Sequence, residues 1–208
     1  MLATMDLKLL ISICLGLGLS AACGFRVFVP LLLAGAAARF GHLELGPGFG
    51  WMSTTPALAL FGTAALVEVL AYHLPWIDHL LEVIAAPAAV VAGVGVSASQ
   101  FVEFDPLWRW TLAIIAGGGI AGLVKGTSVT ARAISTATTG GLGNPLLGLL
   151  EFAASVVASV LVMLAPLLAM VVMLAVGFFA LGWITRRRHR LRRPCLPAGS
   201  ATQAGSPP

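Results

Sequence analysis

The sequence between Lys125 and Pro145 reads KGTSVTARAISTATTGGLGNP, and long apolar runs flank it on both sides. It combines two cations, a series of hydroxyl side chains and a glycine-rich break that ends at Asn144-Pro145. Asparagine is a favoured N-cap residue, and proline suits the next position because its missing amide hydrogen would have no helical partner there. The pattern predicts a helix that unwinds inside or at the edge of a membrane, beside the N-terminus of a second helix. Irregular backbone at that depth is stable only where protein covers it or where it lines a wet cavity, so the stretch is a candidate site.

The composition indicates a membrane protein. Hydrophobic residues make up 59% of the 208 residues and charged residues only 10%, whereas soluble domains have about 25% charged residues. We therefore predict an all-α, polytopic transmembrane helical bundle of about six to seven spans with broken or re-entrant segments, formed by residues 1–185. Residues 186–208 are predicted to form a basic anchor and a disordered cytoplasmic tail.

Prolines and small residues indicate where the spans begin and how they pack. The predicted spans cover about residues 7–24, a short 27–40, 55–74, 77–101, a fifth that opens at Asp105-Pro106, and the apolar run 145–184. That run would be about 60 Å long as one helix, twice the hydrocarbon core, so we predict two spans joined by a tight turn at Pro166. Stripes of small residues predict close helix packing; they are Gly16/Ser20/Gly24, Ala89/Gly93/Ser97 and Gly118/Gly122/Gly126.

The orientation is predicted from the positive charges. Six of the twelve Lys and Arg residues lie in the run Arg186–Arg193, and such a run after an apolar span is typical of a cytoplasmic anchor. With seven spans, this orientation also places Arg26, Lys125 and Arg132 on the cytoplasmic side and leaves only Arg39 misplaced. We predict a protein of the bacterial inner membrane with a cytoplasmic C-terminus, in contact with the lipid bilayer and not with nucleic acid.

Three motifs resemble those of a known family. They are GLSAACGFRVFVP at Gly18–Pro30, Pro75-Trp76-x-Asp78, and TATTGGLGNP at Thr136–Pro145. Together they resemble the bacterial family named domain of unknown function 4126, over about residues 5–185. The resemblance implies an integral membrane protein and supplies no activity, cofactor or site residue.

The polar stretch and three isolated charges are the candidate ligand-binding residues. Backbone amides of a glycine-rich turn, a helix N-terminus and an arginine fork are common components of anion sites. The candidates are Arg132, Thr138, Thr139, Gly140, Gly141, Gly143, Asn144, Glu68, Arg26 and Glu151. The alternative is an interfacial amphipathic helix whose hydroxyls bond its own backbone and whose Arg132 pairs with Glu151 or Glu68.

The charges inside the spans are expected to have partners. Glu68 lies well inside the third span, so its carboxylate should face the bundle interior and pair with another group. Glu151 is expected to bridge Arg132 or Arg26. Arg26 is expected to pair with an acid across the bundle, or else to reach the lipid headgroups.

Acidic residues near the Pro75-Trp76 turn form a candidate metal site. Asp78 and Glu82 are four residues apart, so they share a helix face, and Glu68, Tyr72, His73 and His79 lie nearby in the sequence. Such side chains can hold a divalent cation or relay protons. The other interpretation is that these side chains only cap a helix at the membrane interface. We predict no cofactor, and a divalent cation is the alternative.

The function that these patterns favour is transport of a small solute or ion. In this hypothesis a proton or cation moves through Glu68, and Arg132 with the turn Gly140–Asn144 binds a small anionic solute. One alternative is a structural or assembly protein, for which homo-oligomers are a natural form. Another is a metal-dependent intramembrane enzyme on lipid-phosphate substrates, but no HExxH, GxSxG or Walker signature is present, so we expect no enzyme.

Overall fold

A computed structural model of the chain describes residues 2–71, 75–172 and 175, with the side chains of residues 7–70, 83–172 and 175. This part of the chain is all-helical, as predicted, and Met1–Val171 form one compact unit. The elements are α1 (Leu2–Phe25), α2 (Phe28–Arg39), a 3-10 turn (Gly50–Ser53), α3 (Thr55–Ala71), α4 (Pro75–Gln100), α5 (Pro106–Leu112), a π-helical turn (Ala113–Gly118), α6 (Gly119–Thr139) and α7 (Asn144–Leu164). The predicted anchor and tail, 186–208, lie outside the described residues.

Four helical segments of the described chain are long and apolar enough to cross a membrane. They are Leu7–Phe25, Val83–Gln100, the continuous segment Pro106–Thr139 and Asn144–Leu164. The apolar segments Phe28–Arg39 and Thr55–Leu70 are shorter, which agrees with the short second span expected from the sequence. These segments indicate that the chain is a membrane protein. The number of crossings, six or seven, stays a prediction.

Helix α1 is the central helix of the bundle, because its small residues let its neighbours approach closely. A Cβ on Gly24 would lie 2.5 Å from the Cβ of Val124 in α6, and one on Gly93 of α4 would lie 2.6 Å from the Ser20 hydroxyl. Ser97 of α4 donates a hydrogen bond of 3.0 Å to the carbonyl oxygen of Gly16. The close packing predicted for the first two stripes is therefore confirmed.

The third stripe behaves differently along its length. A Cβ on Gly118 would lie 2.9 Å from Val94 of α4, whereas a Cβ on Gly126 would meet nothing within 4 Å. In the π-helical turn at the start of this stripe, the carbonyl oxygen of Gly117 accepts a hydrogen bond from the Ser20 hydroxyl of α1. A π-helical turn inside an α-helix is uncommon and often lies near a functional site.

The unwinding predicted between Lys125 and Pro145 occurs only at the glycines that precede α7. The helix that starts at Pro106 continues to Thr139. The hydroxyls of this stretch donate to carbonyl oxygens of their own helix, Thr127 to Val124 and Thr130 to Gly126. The break is confined to the four-residue turn 140–143.

The turn itself is built by two glycines. Gly140 and Gly141 have φ angles of 63° and 91°, a left-handed conformation that glycine adopts without steric cost. The N-cap of α7 is Gly143, so Asn144 is its first helical residue and not its cap.

The long apolar run after Pro145 is interrupted where the sequence predicts an interruption. Helix α7 ends at Leu164, Ala165 has φ −145° and ψ 75°, and residues 166–172 are helical again. Pro166 explains the break, since proline disfavours a helical conformation in the residue before it.

Candidate functional site: a buried charge cluster

Five charged side chains are buried between the helices, and we call them the buried charge cluster. Their exposed fractions lie between 2% and 8%, and they account for the buried charged residues in the part of the chain that the structure describes: Arg26, Glu68, Lys125, Arg132 and Glu151. They come from the α1–α2 junction, α3, α6 and α7. Four of the five belong to the predicted ligand-binding set.

Helical spacing places two polar faces toward each other. Lys125, Ser128 and Arg132 are separated by three and four residues and are all buried on α6, and Glu151 and Ser155 are buried on α7. Residues at these spacings lie on one side of a helix. The outer faces carry exposed apolar side chains such as Leu123 at 74%, so the polar surface points inward and the apolar surface points toward lipid.

Glu68 caps helix α2 from another helix. Its Oε1 accepts a hydrogen bond of 3.2 Å from the backbone amide of Val27, and its Oε2 accepts one of 3.4 Å from that of Phe28. A carboxylate at this place satisfies amides that have no partner within the helix and lies at the positive end of the helix dipole. The expectation that Glu68 faces the interior and pairs there is confirmed.

Arg26 connects three helices at the α1–α2 junction. Its Nη1 donates to the backbone carbonyl oxygen of Glu68 at 3.3 Å, and its Nη2 donates to that of Gly148 in α7 at 2.7 Å. Nearby, the Ser155 hydroxyl donates to the carbonyl oxygen of Ala22 at 3.1 Å. Arg26 also interacts electrostatically with Glu68, as the predicted pairing with an acid requires.

Arg132 and Glu151 form a salt bridge between α6 and α7. The Nε atom of Arg132 donates to Oε1 of Glu151 at 3.2 Å, and its Nη2 bonds Oε2. The Ser128 hydroxyl donates to the same Oε1. This two-point geometry is the strong form of an arginine–carboxylate pair, and the predicted pairing of these residues is confirmed.

Lys125 connects the two halves of the cluster. It lies on the same buried face of α6 as Arg132, and it interacts electrostatically with Glu68. The cluster therefore contains the salt bridge between Arg132 and Glu151 and a second group formed by Arg26, Lys125 and Glu68.

The glycine-rich turn stands apart from this cluster in its bonding. Thr138 and Thr139 are exposed, and their hydroxyls donate to carbonyl oxygens one turn back, at Ile134 and Ser135, over 2.9 and 2.7 Å. Arg132, by contrast, bonds Glu151 of α7.

The ends of the turn bond to α6. Thr139 accepts the Gly143 amide at 3.2 Å, and the Asn144 amide group donates to Thr136 at 3.1 Å. Gly140 is exposed, while Gly141, Gly143 and Asn144 are partly buried. These contacts match the alternative of a helix whose hydroxyls bond its own chain.

The predicted metal ligands are not described. The side chains of Asp78, His79 and Glu82 and all of Tyr72 and His73 lie outside the described residues. Among the residues that the structure describes, no three His, Cys, Asp or Glu side chains come together as a metal site.

Sequence reasoning missed the contact between Glu68 and the start of α2. The predicted spans 7–24 and 27–40 place the break at Arg26-Val27, but nothing in the sequence indicates which side chain bonds the first amides of α2. A signal for the buried α6 face existed, since Lys125, Ser128 and Arg132 have helical spacing.

The profile of one family matches the chain over residues 13–187, and it is described as a domain of unknown function, DUF4126. The chain belongs to the DUF4126 family. No curated protein and no solved structure matched it. The matched region of this DUF4126 protein contains all five members of the buried charge cluster and the turn 140–143.

Proposed function

We propose that this DUF4126 protein is a permease for a small solute or ion in the bacterial inner membrane, with its C-terminus in the cytoplasm. The observation that carries the proposal is the buried charge cluster, whose members are at most 8% exposed inside a bundle of apolar helices. Ionisable groups within a membrane bundle are costly, and they typically mark ion or proton pathways. On this proposal, the solute passes through the cluster.

The discontinuous helix α1–α2 supports the proposal. The chain leaves the helical path at Arg26-Val27, and the first amides of α2 point at the Glu68 carboxylate inside the protein. Discontinuous helices whose N-terminal ends face charged groups are a recurring feature of secondary transporters. The α1–α2 junction provides such a helix N-terminus beside the buried charge cluster.

The packing of α2 and α3 supports a movable element. Met52, Ala57 and Phe61 form a hydrophobic cluster with Phe28 and Leu32, among others, so that α2, the 3-10 turn and α3 share a small core of their own. The charge cluster lies where this hairpin meets α1, α6 and α7. Movement of the hairpin as a unit would open and close the cluster, because Arg26 and Glu68 bond across the boundary between the hairpin and the rest of the bundle.

The test is charge movement by purified protein in liposomes. We expect currents or ion flux with the intact protein, and at least about a tenfold loss in Glu68→Gln and in Glu151→Gln, since each removes one charge from the pathway. Lys8→Gln is the matched control, because Lys8 is exposed. Absence of flux with the intact protein for inorganic cations, anions and protons would contradict the proposal, as would normal flux in both glutamine variants.

A structural or assembly role is the second candidate. It is favoured by the salt bridge between Arg132 and Glu151, which satisfies both charges within the chain. In that role the variants lose stability and the intact protein carries no flux. Homo-oligomer formation belongs to this candidate and remains a prediction.

A further inference from the structure

The start of α5 carries an arginine and a carboxylate, one helical turn apart, that do not bond each other. We propose that Arg109 and Asp105 bind the headgroup of a zwitterionic phospholipid that carries a free amine, with Arg109 at the phosphate and Asp105 at the ammonium. Arg109 lies at the opposite end of the segment Pro106–Thr139 from Arg132. The site is thus separate from the buried charge cluster, and the proposal does not depend on transport.

The position of Arg109 along its helix places it at the level of the lipid headgroups. It is the fourth residue of the continuous segment Pro106–Thr139, which is about 51 Å long and exceeds the hydrocarbon core by about 20 Å. Leu107 and Trp108 beside it are exposed, and tryptophan is enriched at membrane interfaces. A lipid at this place can pack its acyl chains on these apolar side chains and direct its headgroup to Arg109.

The guanidinium of Arg109 contains a buried donor without an acceptor. Its Nε atom is buried and forms no hydrogen bond within the part of the chain that the structure describes, while the residue as a whole is partly exposed. A buried donor without an acceptor is unusual in a native protein and indicates a bonding partner from outside the chain. Arginine offers parallel N–H donors in the geometry that phosphate oxygens accept.

The loop beside Arg109 leaves the guanidinium uncovered at a glycine. A Cβ on Gly46 would lie 3.5 Å from Nη1 of Arg109. The loop is held by other contacts: the Gly46 amide donates to the carbonyl oxygen of Ser99 at 2.7 Å, and the ring centroids of Phe49 and Trp110 are 6.2 Å apart. Because these contacts do not use the guanidinium, the loop is in place before a ligand binds, which lowers the entropic cost of binding.

The carboxylate of Asp105 can bind the second charge of the headgroup. Residues four apart lie on the same side of a helix, and the side chain of Asp105 is exposed. It is the N-cap residue of α5, yet its side chain makes no capping hydrogen bond, and no salt bridge joins it to Arg109 in the described part of the chain. A phosphate and an ammonium two carbons apart can bond both side chains at once. An anionic headgroup would instead place a second negative charge beside the carboxylate.

Three carboxylates have side chains outside the described residues, and they were considered as partners of Arg109. Asp78 and Glu82 lie in the first turns of α4, whereas Ser99, beside the site, lies at its other end. At 1.5 Å per residue they are about 25 Å or more away, which is too far for a bond. Asp6 of α1 is the third carboxylate, and the experiment includes its neutral variant.

The experiment measures lipid binding at equilibrium. Thermal unfolding of the full-length protein, delipidated in a maltoside detergent that contains no phosphate, is followed against phosphatidylethanolamine, phosphatidylglycerol and diacylglycerol with identical acyl chains. A ligand that binds only the folded state raises the unfolding temperature with a saturable dose dependence. We expect saturable stabilisation by phosphatidylethanolamine, an apparent affinity for phosphatidylglycerol about tenfold weaker, and no stabilisation by diacylglycerol.

Two variants separate the two charges of the headgroup. Arg109→Gln should weaken the apparent dissociation constant for phosphatidylethanolamine about ten- to a hundredfold, the usual effect of losing a charged hydrogen-bond partner. Asp105→Asn should weaken the binding of phosphatidylethanolamine and strengthen that of phosphatidylglycerol, a reversal that a general loss of folding cannot imitate. Asp6→Asn should leave both constants within about twofold, as should Arg39→Gln, the same substitution at an arginine that bonds the Thr55 hydroxyl.

A free phosphate compound offers the same polar groups without the acyl chains, so phosphoethanolamine and inorganic phosphate form a second arm. Stabilisation by either compound with the affinity of phosphatidylethanolamine would assign the site to a soluble ligand and overturn the lipid proposal.

The other outcomes are equally decisive. Equal affinity for the two phospholipids, no stabilisation by either, or unchanged binding in Arg109→Gln overturns the proposal. A change larger than twofold in Asp6→Asn would identify Asp6 as the partner of Arg109 and overturn it as well. The flux measurement in liposomes decides the permease proposal independently of these results.

Discussion

Arg132 and Glu151 show what a buried charge requires in an apolar bundle. Removing an ion from water costs several kcal/mol even after the protein relaxes, and each partner of this pair replaces the lost water with two bonds to the other. Ser128 adds a third bond to the carboxylate. The pair is therefore sensitive to the loss of either member, because the other would remain charged and buried.

The first prediction concerns this pair. Arg132→Ala should lower the free energy of unfolding by about 3–5 kcal/mol, the usual cost of leaving one member of a buried pair alone. The double variant Arg132→Met/Glu151→Leu should recover most of that loss, since both charges are gone. Denaturation in detergent, followed by circular dichroism, measures the difference.

The control is an exposed arginine. Arg39 donates to the Thr55 hydroxyl at 2.7 Å on the surface, and Arg39→Ala should change stability by less than about 1 kcal/mol. Equal losses in Arg132→Ala and in the double variant would show that side-chain packing, and not charge, determines the effect.

The second prediction concerns Glu68 as a cap of α2. Glu68→Ala removes the acceptor of the Val27 and Phe28 amides, so these amides should exchange with deuterium about ten- to a hundredfold faster. The amide of Arg109, which bonds the carbonyl oxygen of Asp105 at the start of α5, should be unchanged. Faster exchange at Arg109 as well would indicate general unfolding and not the loss of a cap.

Residue contacts were predictable to different degrees. The pairing of Arg132 with Glu151 follows from the sequence, because isolated charges in apolar helices need partners. The capping of α2 by Glu68 does not follow, since it joins residues 41 positions apart and no sequence pattern pairs them. The hydroxyls of Thr138 and Thr139, which are candidate ligand-binding groups, bond their own helix, and a ligand at these residues stays a prediction.

Glycines set the distances between helices at the scale of the elements. Gly24 brings α1 against α6 so closely that the carbonyl oxygen of Ala121 lies 2.8 Å from where its Cβ would be. Backbone cannot move aside as a flexible side chain can. The first two stripes predicted this feature, because small residues at four-residue spacing let membrane helices approach closely, whereas the third stripe is close to a neighbour only at its first part.

The third prediction compares two glycines of the bundle. Gly24→Ala should destabilise the protein by about 1–3 kcal/mol, because the added methyl group forces α1 and α6 apart. Gly126→Ala is the matched control: it lies in α6 with nothing within 4 Å of its Cβ position, so it should be neutral or stabilising by up to about 1 kcal/mol. Thermal unfolding of the two variants in detergent gives the comparison, and similar losses would contradict it.

The polar stretch of α6 matches the alternative that the sequence left open, a helix whose hydroxyls bond its own backbone. Serine and threonine lower helix propensity, so the sequence alone does not decide between the two readings. In the structure, these hydroxyls donate to carbonyl oxygens three or four residues back. The hydroxyls thus have hydrogen-bond partners while the helix stays regular. Tertiary packing of Lys125, Ser128 and Arg132 then holds the helix to its end.

The whole molecule raises the question of orientation. The positive-inside rule counts charges in loops, and the sequence argument counted Arg26, Lys125 and Arg132 among them. All three are buried, with exposed fractions of 2–3%, so they do not report orientation. The predicted orientation therefore rests on Arg186–Arg193, which lie outside the described residues.

The fourth prediction tests this orientation. Glu103 and Leu142 flank the continuous helix Pro106–Thr139, which at 1.5 Å per residue is about 51 Å long and exceeds the hydrocarbon core. We therefore expect them on opposite sides of the membrane. In intact cells carrying Cys195→Ser, an impermeant maleimide should label Glu103→Cys, and it should label Leu142→Cys only after permeabilisation.

Labelling with the reverse pattern would invert the orientation and leave the fold intact. Labelling of both cysteines in intact cells would contradict a transmembrane course for this helix. Cys14 and Cys23 are buried, so they serve as internal controls that should stay unlabelled.

The π-helical turn has a consequence for insertions and deletions. A turn with i→i+5 hydrogen bonds holds one residue more than an α-helical turn over nearly the same rotation, whereas each residue of a regular α-helix turns the chain by about 100°. The turn therefore absorbs a residue without changing the rotational phase of the helix after Gly118. A deletion after the turn is not absorbed, and it would rotate Lys125, Ser128 and Arg132 by about a quarter-circle relative to Glu68 and Glu151.

The fifth prediction follows from this phase. Deleting Leu123, whose side chain is 74% exposed, should abolish stable folding even though little packing is lost, whereas deleting Ile115 inside the turn should be tolerated, because the turn can tighten to a regular α-helix. Size-exclusion profiles and thermal unfolding of both variants measure the difference. The uncharged turn thus gives this helix one place where its length can change while the buried charges keep their directions.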